Sequence, residues 1–123
     1  MTMQRQNLGK TGEDLAVEEL TAQGYAILER RYRTRYGEID IVARDGGTIV
    51  FVEVKARATA EFGTAAEAIT PYKQRRLASM AVDYLARNHL TDQPCRFDVV
   101  AIDDAESEAP VITVYAAAFE TRP

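Results

Sequence analysis

Between Asn7 and Gln23 the spacing is helical. Glu13, Ala16, Val17 and Leu20 fall at i, i+3, i+4 and i+7 on one face, and Gly24 follows as a C-terminal stop. The pattern then changes. Tyr25 to Tyr32, carrying Ile27 and Leu28, reads as a strand that runs into an arginine-rich stretch. Gly37 to Arg44 and Thr48 to Arg57 are two more, rich in β-branched residues and separated by Asp45, Gly46 and Gly47, a strong hairpin signal. After a loop containing Gly and Ala, Thr70 and Pro71 read as N-cap and first helical position. Leu77, Met80, Ala81, Tyr84 and Leu85 form the apolar face of a helix ending near Asn88. Arg96 to Ile102 and Val111 to Phe119 close the chain as strands, the alanines 116 to 118 leaving the end of the second undefined. Met1 to Gln6 is a loose tail. The order predicts an α/β sandwich around a mixed sheet.

The chain has 123 residues, 46% of them hydrophobic, enough for one continuous core, so residues 1–123 are expected to form one domain. With 28% charged residues, few Gly and Pro, and no apolar run near the ~18 residues of a membrane span, disorder, collagen and a transmembrane helix are excluded. The polar N-terminus carries no secretory signal, and a cytoplasmic protein is expected. Cys95 and His89 stand alone of their kinds, which excludes an internal disulfide and a Cys- or His-rich zinc site. Neither residue carries a functional argument. Any metal would be held by carboxylate and carbonyl oxygens, as suits Mg²⁺, Mn²⁺ or Ca²⁺.

The net charge of −4 argues against a nucleic-acid partner, but its distribution softens the objection. Glu29 to Tyr36 reads ERRYRTRY, four arginines against one acid, and Lys73, Arg75 and Arg76 form a second basic cluster. Asp103, Asp104, Glu106 and Glu108 place part of the acidity in a separate, solvated loop.

The chemistry concentrates in the hairpin. Ile49, Phe51, Glu53 and Lys55 share one face of their strand, and Glu38, Asp40 and Val42 share one face of the strand before it. A Gly46–Gly47 loop puts Asp40 directly across from Glu53. An Asp45–Gly46 loop pairs Glu38 with Glu53 and leaves Asp40 one diagonal step away. Either way acids gather on one face, in a strand whose apolar neighbours bury Glu53 at least in part. Like charges opposed across a sheet cost up to ~1 kcal/mol when exposed, and more where water is excluded. A divalent cation between Asp40 and Glu53, with Lys55 beside it, would turn that repulsion into coordination fit for phosphodiester hydrolysis. The competing reading is an ion-paired strand face.

An acid on the second strand followed by E-x-K on the third resembles the signature of the restriction-endonuclease-like, or PD-(D/E)xK, nucleases. More closely, the chain resembles the bacterial YraN-like family, grouped with Holliday-junction-resolvase-like nucleases. The resemblance rests on GKTGEDLA (Gly9 to Ala16), YGEIDIVA (Tyr36 to Ala43), VFVEVKAR (Val50 to Arg57), the TPYKQRRL opening of the second helix, and RFDVVAI (Arg96 to Ile102). It implies a three-layer α-β-β-β-α-β core and a Mg²⁺-dependent endonuclease, with Mn²⁺ as substitute, acting on DNA, branched or structured DNA included. The family's acidic helix residue corresponds to Glu13, its strand acid to Asp40 and its E-x-K pair to Glu53 and Lys55. Ile39 stands where the superfamily name has proline, a departure common in resolvase-like branches.

On this reading Asp40 and Glu53 ligate metal, with the Val54 carbonyl as a further ligand and Glu13 binding directly or through water. Lys55 orients or deprotonates the attacking water, and Glu38 lies behind the ligands. Lys73, Gln74 and Arg76 are placed to meet phosphate. Arg31, Arg33 and Arg35, alternating with Tyr32, Thr34 and Tyr36, would line a groove tracking a nucleic-acid backbone, with tyrosines for stacking. The alternatives are a non-catalytic nucleic-acid-binding module that kept the fold and a protein-interaction domain. A resolvase would be expected to act as a homodimer, and no stretch of sequence marks an interface.

Overall fold

The computed structural model describes residues 11–58 and 69–120. The expected tail, the first turn of the N-terminal helical pattern and most of the loop before Thr70 lie outside them. Helix α1 (Gly12–Ala22) starts at a reciprocal capping box: the Asp14 N–H donates to the Thr11 hydroxyl, and the Thr11 N–H donates to the Asp14 carboxylate. Strands β1 (Ala26–Thr34), β2 (Gly37–Asp45) and β3 (Thr48–Ala56) follow as an antiparallel meander. Helix α2 (Pro71–Arg87), capped by Thr70 with Pro71 in its first turn, crosses one face of the sheet. The crossover makes β4 (Cys95–Asp103) parallel to β3, and β5 (Val111–Phe119) returns antiparallel along β4. The sheet order is β1-β2-β3-β4-β5.

Strand alternation divides the core into two layers, except that β2 changes face at Asp40, so that Ile39 packs with Val42 on the α2 side while Ile41 packs on the α1 side. Val42, Ile49, Phe51, Phe97 and Val99 pack with Leu77, Met80, Ala81 and Tyr84 of α2, whereas Ile41, Val50, Val52, Val100 and Ile102 pack with Ala16 and Leu20 of α1. The result is an α/β/α sandwich with a mixed sheet, the three-layer arrangement of a restriction-endonuclease-like core. No helix among the described residues is long and apolar enough to cross a membrane.

Three local features position the functional residues. The β2–β3 register pairs Asp45 with Thr48 and Ile41 with Val52, so the loop is Gly46–Gly47, with Gly46 at φ 61° where a side chain would be strained. Gly12 lets α1 start hard against the sheet: a Cβ there would lie 3.2 Å from Ala56 Cβ and 3.3 Å from Ile102 Cδ1. In β1 the register shifts between Ile27 and Glu29, leaving Leu28 as an extra residue, and Arg31 sits at φ 55°. Simple alternation along the arginine-rich strand therefore fails.

Candidate metal and nucleic-acid site

The paired register of the hairpin ends at Ile41 opposite Val52. Beyond it a side chain replaces the backbone ladder, the Val54 N–H donating to Asp40 Oδ2 at 2.7 Å. This bond fixes the Asp40 carboxylate against the step that carries Glu53, Val54 and Lys55. Burial pushes the Asp40 carboxyl up to about 6. The Val54 N–H opposes that shift, and the nearby charges of Glu53 and Glu13 add to it. Asp40, Glu53 and Glu13 therefore share one electrostatic neighbourhood, reached from two strands and from the first turn of α1.

Cations surround these acids. Lys73 Nζ, from the first turn of α2, donates to Glu53 Oε2 at 3.1 Å, and Lys55 Nζ lies 3.9 Å from the same oxygen. Contact with Lys73, together with burial, holds the Lys55 ammonium below its usual range. Lys73 is held above its own, chiefly by its hydrogen bond with Lys55 and then by Glu53. Two half-buried ammonium groups in contact disfavour double protonation, and the amine that gives way is Lys55. Glu13 meets arginine instead. Arg30 Nε lies 2.8 Å from its Oε1 and Arg31 Nε lies 3.1 Å from its Oε2, while Arg30 also reaches Asp14.

The candidate residues thus divide. Asp40, Glu53, Lys55 and Lys73 come together, with Glu13 beside Asp40 but both of its oxygens engaged by arginine. Val54 contributes its N–H. Gln74 donates to the Ile69 carbonyl and so fixes the entry to α2. Glu38 is paired with Arg33, whose side chain is 84% exposed. The three alternating arginines do not form one line: Arg31 belongs to Glu13, Arg33 to Glu38, and Arg35 turns toward α2. Tyr32 is no stacking aromatic. It is buried opposite Ile39 in the core layer under α2, its hydroxyl donates to Asp83 at 2.6 Å, and its ring meets Tyr84 edge-on.

Sequence reasoning missed Arg30 and Tyr72. Arg30 was masked by the parity change at the bulge. Tyr72, 63% exposed on the first turn of a helix beside three basic residues, was visible as an aromatic where an amphipathic pattern calls for a polar residue.

Among the described residues, no three His, Cys, Asp or Glu side chains are gathered as a ready metal-ligand set. Mg²⁺ does not require one. It keeps several waters and is bound through one or two carboxylates plus substrate phosphate, a demand that Asp40 and Glu53 fit in number and hardness.

Fold and site together define an α/β protein with a restriction-endonuclease-like core and an acid–lysine cluster at one end of its β2–β3 hairpin. Residues 12–102 match the model of the uncharacterised protein family UPF0102, and the chain belongs to that family, as the YraN-like resemblance implied. It is similar to the UPF0102 protein of Symbiobacterium thermophilum, 54% identical over 96 residues covering 78% of this chain and 81% of the relative. The UPF0102 protein of Geobacter sulfurreducens is 49% identical over 113 residues, 92% of this chain and 88% of the relative. That of Ralstonia pickettii is 52% identical over 104 residues, 81% of this chain and 83% of the relative.

Proposed function

We propose that the chain is a divalent-metal-dependent nuclease that hydrolyses phosphodiester bonds in DNA, using Mg²⁺ with Mn²⁺ as substitute. One arrangement supports this above the others: the Asp40 carboxylate held at 2.7 Å on the Val54 N–H, against the strand step that carries Glu53 and Lys55. A structural ion pair needs one acid and one base. Here Asp40 is half-buried near two further acids whose neighbouring cations, Lys73 on Glu53 and the two arginines on Glu13, are engaged with those acids, an arrangement that costs stability and that a bound metal would relieve.

Asp40 and Glu53 would hold the metal, which when bound acidifies a water and neutralises charge developing on the phosphate. Lys55, the amine more readily found neutral, orients the attacking water and accepts its proton. Lys73 balances Glu53 when no metal is bound and is free to meet the phosphate when one is. Glu13 bears on Asp40 electrostatically and anchors Arg30 and Arg31 at the same edge. Branched or structured DNA is the substrate class that the YraN-like resemblance suggests, and a homodimer would present two such sites to it.

The test is a cleavage panel of linear, nicked, flapped and four-way DNA with Mg²⁺ or Mn²⁺. Wild-type protein should cut at least one substrate only with metal, and Asp40→Asn and Glu53→Gln, each nearly isosteric, should abolish cutting while keeping the fold. Wild-type turnover by either variant would remove the site assignment. Metal-independent binding without cutting would favour the non-catalytic module.

A further inference from the structure

On the flank of the acid site lies an open cleft of about 420 Å³ lined by Arg35, Tyr36, Tyr72, Arg75, Arg76 and Ser79. Two elements build it. The β1–β2 turn supplies Arg35 and Tyr36. Helix α2 supplies the other four at i, i+3, i+4 and i+7 from Tyr72, a single stripe beside the apolar face that packs on the sheet. Arg76 crosses close to Gly37, where a Cβ would lie 3.8 Å from its Nε; the φ of 130° at Gly37 keeps a side chain out of that position. Arg35 lies 5.1 Å from the Tyr36 ring centroid and Arg76 5.8 Å from that of Tyr72, so each exposed ring has a guanidinium against it. Among the described residues no acid forms an ion pair with Arg35, Arg75 or Arg76.

We propose that this cleft binds an unpaired nucleotide of a DNA strand, its base stacked on Tyr36 or Tyr72 and its flanking phosphates on the arginines. The proposal rests on the nuclease reading and narrows its substrate to DNA with a single-stranded element next to the cut. Arginines alone would serve any phosphate backbone. Exposed aromatic faces add something only for a base whose own face is free, and the faces of duplex bases are covered by their neighbours. Tyr36 and Tyr72 remain 43% and 63% exposed although large and partly apolar, so the fold draws little packing from them. The cleft also adjoins the acid site: Lys73, next to Tyr72 in the same turn, reaches Glu53, and the Arg76 charge bears on Lys73.

Binding can be read without hydrolysis by fluorescence anisotropy of labelled oligothymidylate and of a hairpin duplex, using Asp40→Asn protein in chelator. The single strand should bind more tightly than the duplex. Adding Tyr36→Leu and Tyr72→Leu should weaken single-strand binding about 10- to 100-fold with the salt slope unchanged, and Phe at both positions should restore it. Adding Arg35→Ala and Arg76→Ala should instead lower the salt slope by about 2. Equal single-strand affinity with and without the tyrosines, or a duplex bound as tightly as the single strand, would overturn the cleft assignment and leave metal-dependent cleavage by the wild type untouched. A wild type that binds this way yet cuts nothing would uphold the cleft and remove the nuclease reading.

Discussion

The protein sets two aspartates in one sheet, one buried and one half-buried, and treats them in opposite ways. Asp98, on β4, is fully buried and fully satisfied. The Tyr25 hydroxyl donates to its Oδ2 at 2.8 Å, Arg96 Nε to its Oδ1 at 3.0 Å, and the Ala117 N–H to Oδ1 at 2.9 Å. Arg96 also reaches Asp45 and the Tyr25 oxygen and stacks over the Tyr25 ring, so one guanidinium ties the residue leading into β1 and the end of β2 to β4. Asp40, on β2, has one backbone donor and sits in the field of Glu53 and Glu13. The lysines that would relieve it are turned to Glu53, and the arginines to Glu13. A buried acid kept for stability gathers donors. Asp40 instead lies in the field of like charges, as the proposed cation site requires.

Removing Asp98 should therefore cost the most. Asp98→Ala removes the buried acceptor of the Tyr25 hydroxyl, the Ala117 N–H and the half-buried Arg96, which keeps only Asp45 of its two acids, and chemical denaturation should show a loss of about 3–5 kcal/mol. A loss below about 1 kcal/mol would show that the Arg96 network does not hold the fold and would dissolve the contrast.

Removing the Asp40 charge should act in the opposite direction. Its carboxyl moves from 3.8 to about 6 on folding, so the folded state binds the proton more tightly than the unfolded chain. Ionised Asp40 thus lowers stability, fully so above about pH 6, and the penalty fades as pH falls to 3.8. In chelator at pH 8, Asp40→Asn should be more stable than wild type by about 1–3 kcal/mol, and at pH 4 the two should nearly coincide. A variant less stable than wild type at pH 8 would make Asp40 an ordinary hydrogen-bonded strand residue.

Much of this contrast was legible in the sequence, and the gaps have physical causes. Period-two alternation put Glu53 with Phe51 and Val54 with Val52 on the correct faces, because both faces of β3 are apolar enough to fix them. The loop remained open between two glycine-containing turns, since both are chemically competent. The geometry chose Gly46–Gly47, with Asp45 extending β2 and reaching Arg96. The contact of Lys73 with Glu53 was beyond local pattern, as it depends on how far the α2 crossover carries its first turn over the sheet. The alanines 116 to 118 looked like a weak strand end. They form a bulge opposite Asp98, where the register jumps between Phe97 and Val99, Ala117 adopts φ 51° and its N–H turns onto the carboxylate. Small side chains suit a backbone folding over a buried acid, and no propensity scale encodes that.

If Asp40 and Glu53 form the proposed divalent-cation site, calorimetric titration of Mn²⁺ into the apo protein near pH 7.5 detects it. Wild-type protein should bind at millimolar affinity or better, Asp40→Asn and Glu53→Gln should lose that binding, and Lys55→Ala should keep it while losing cleavage. Absence of binding to wild type, or equal binding by wild type and Asp40→Asn, would contradict the proposal.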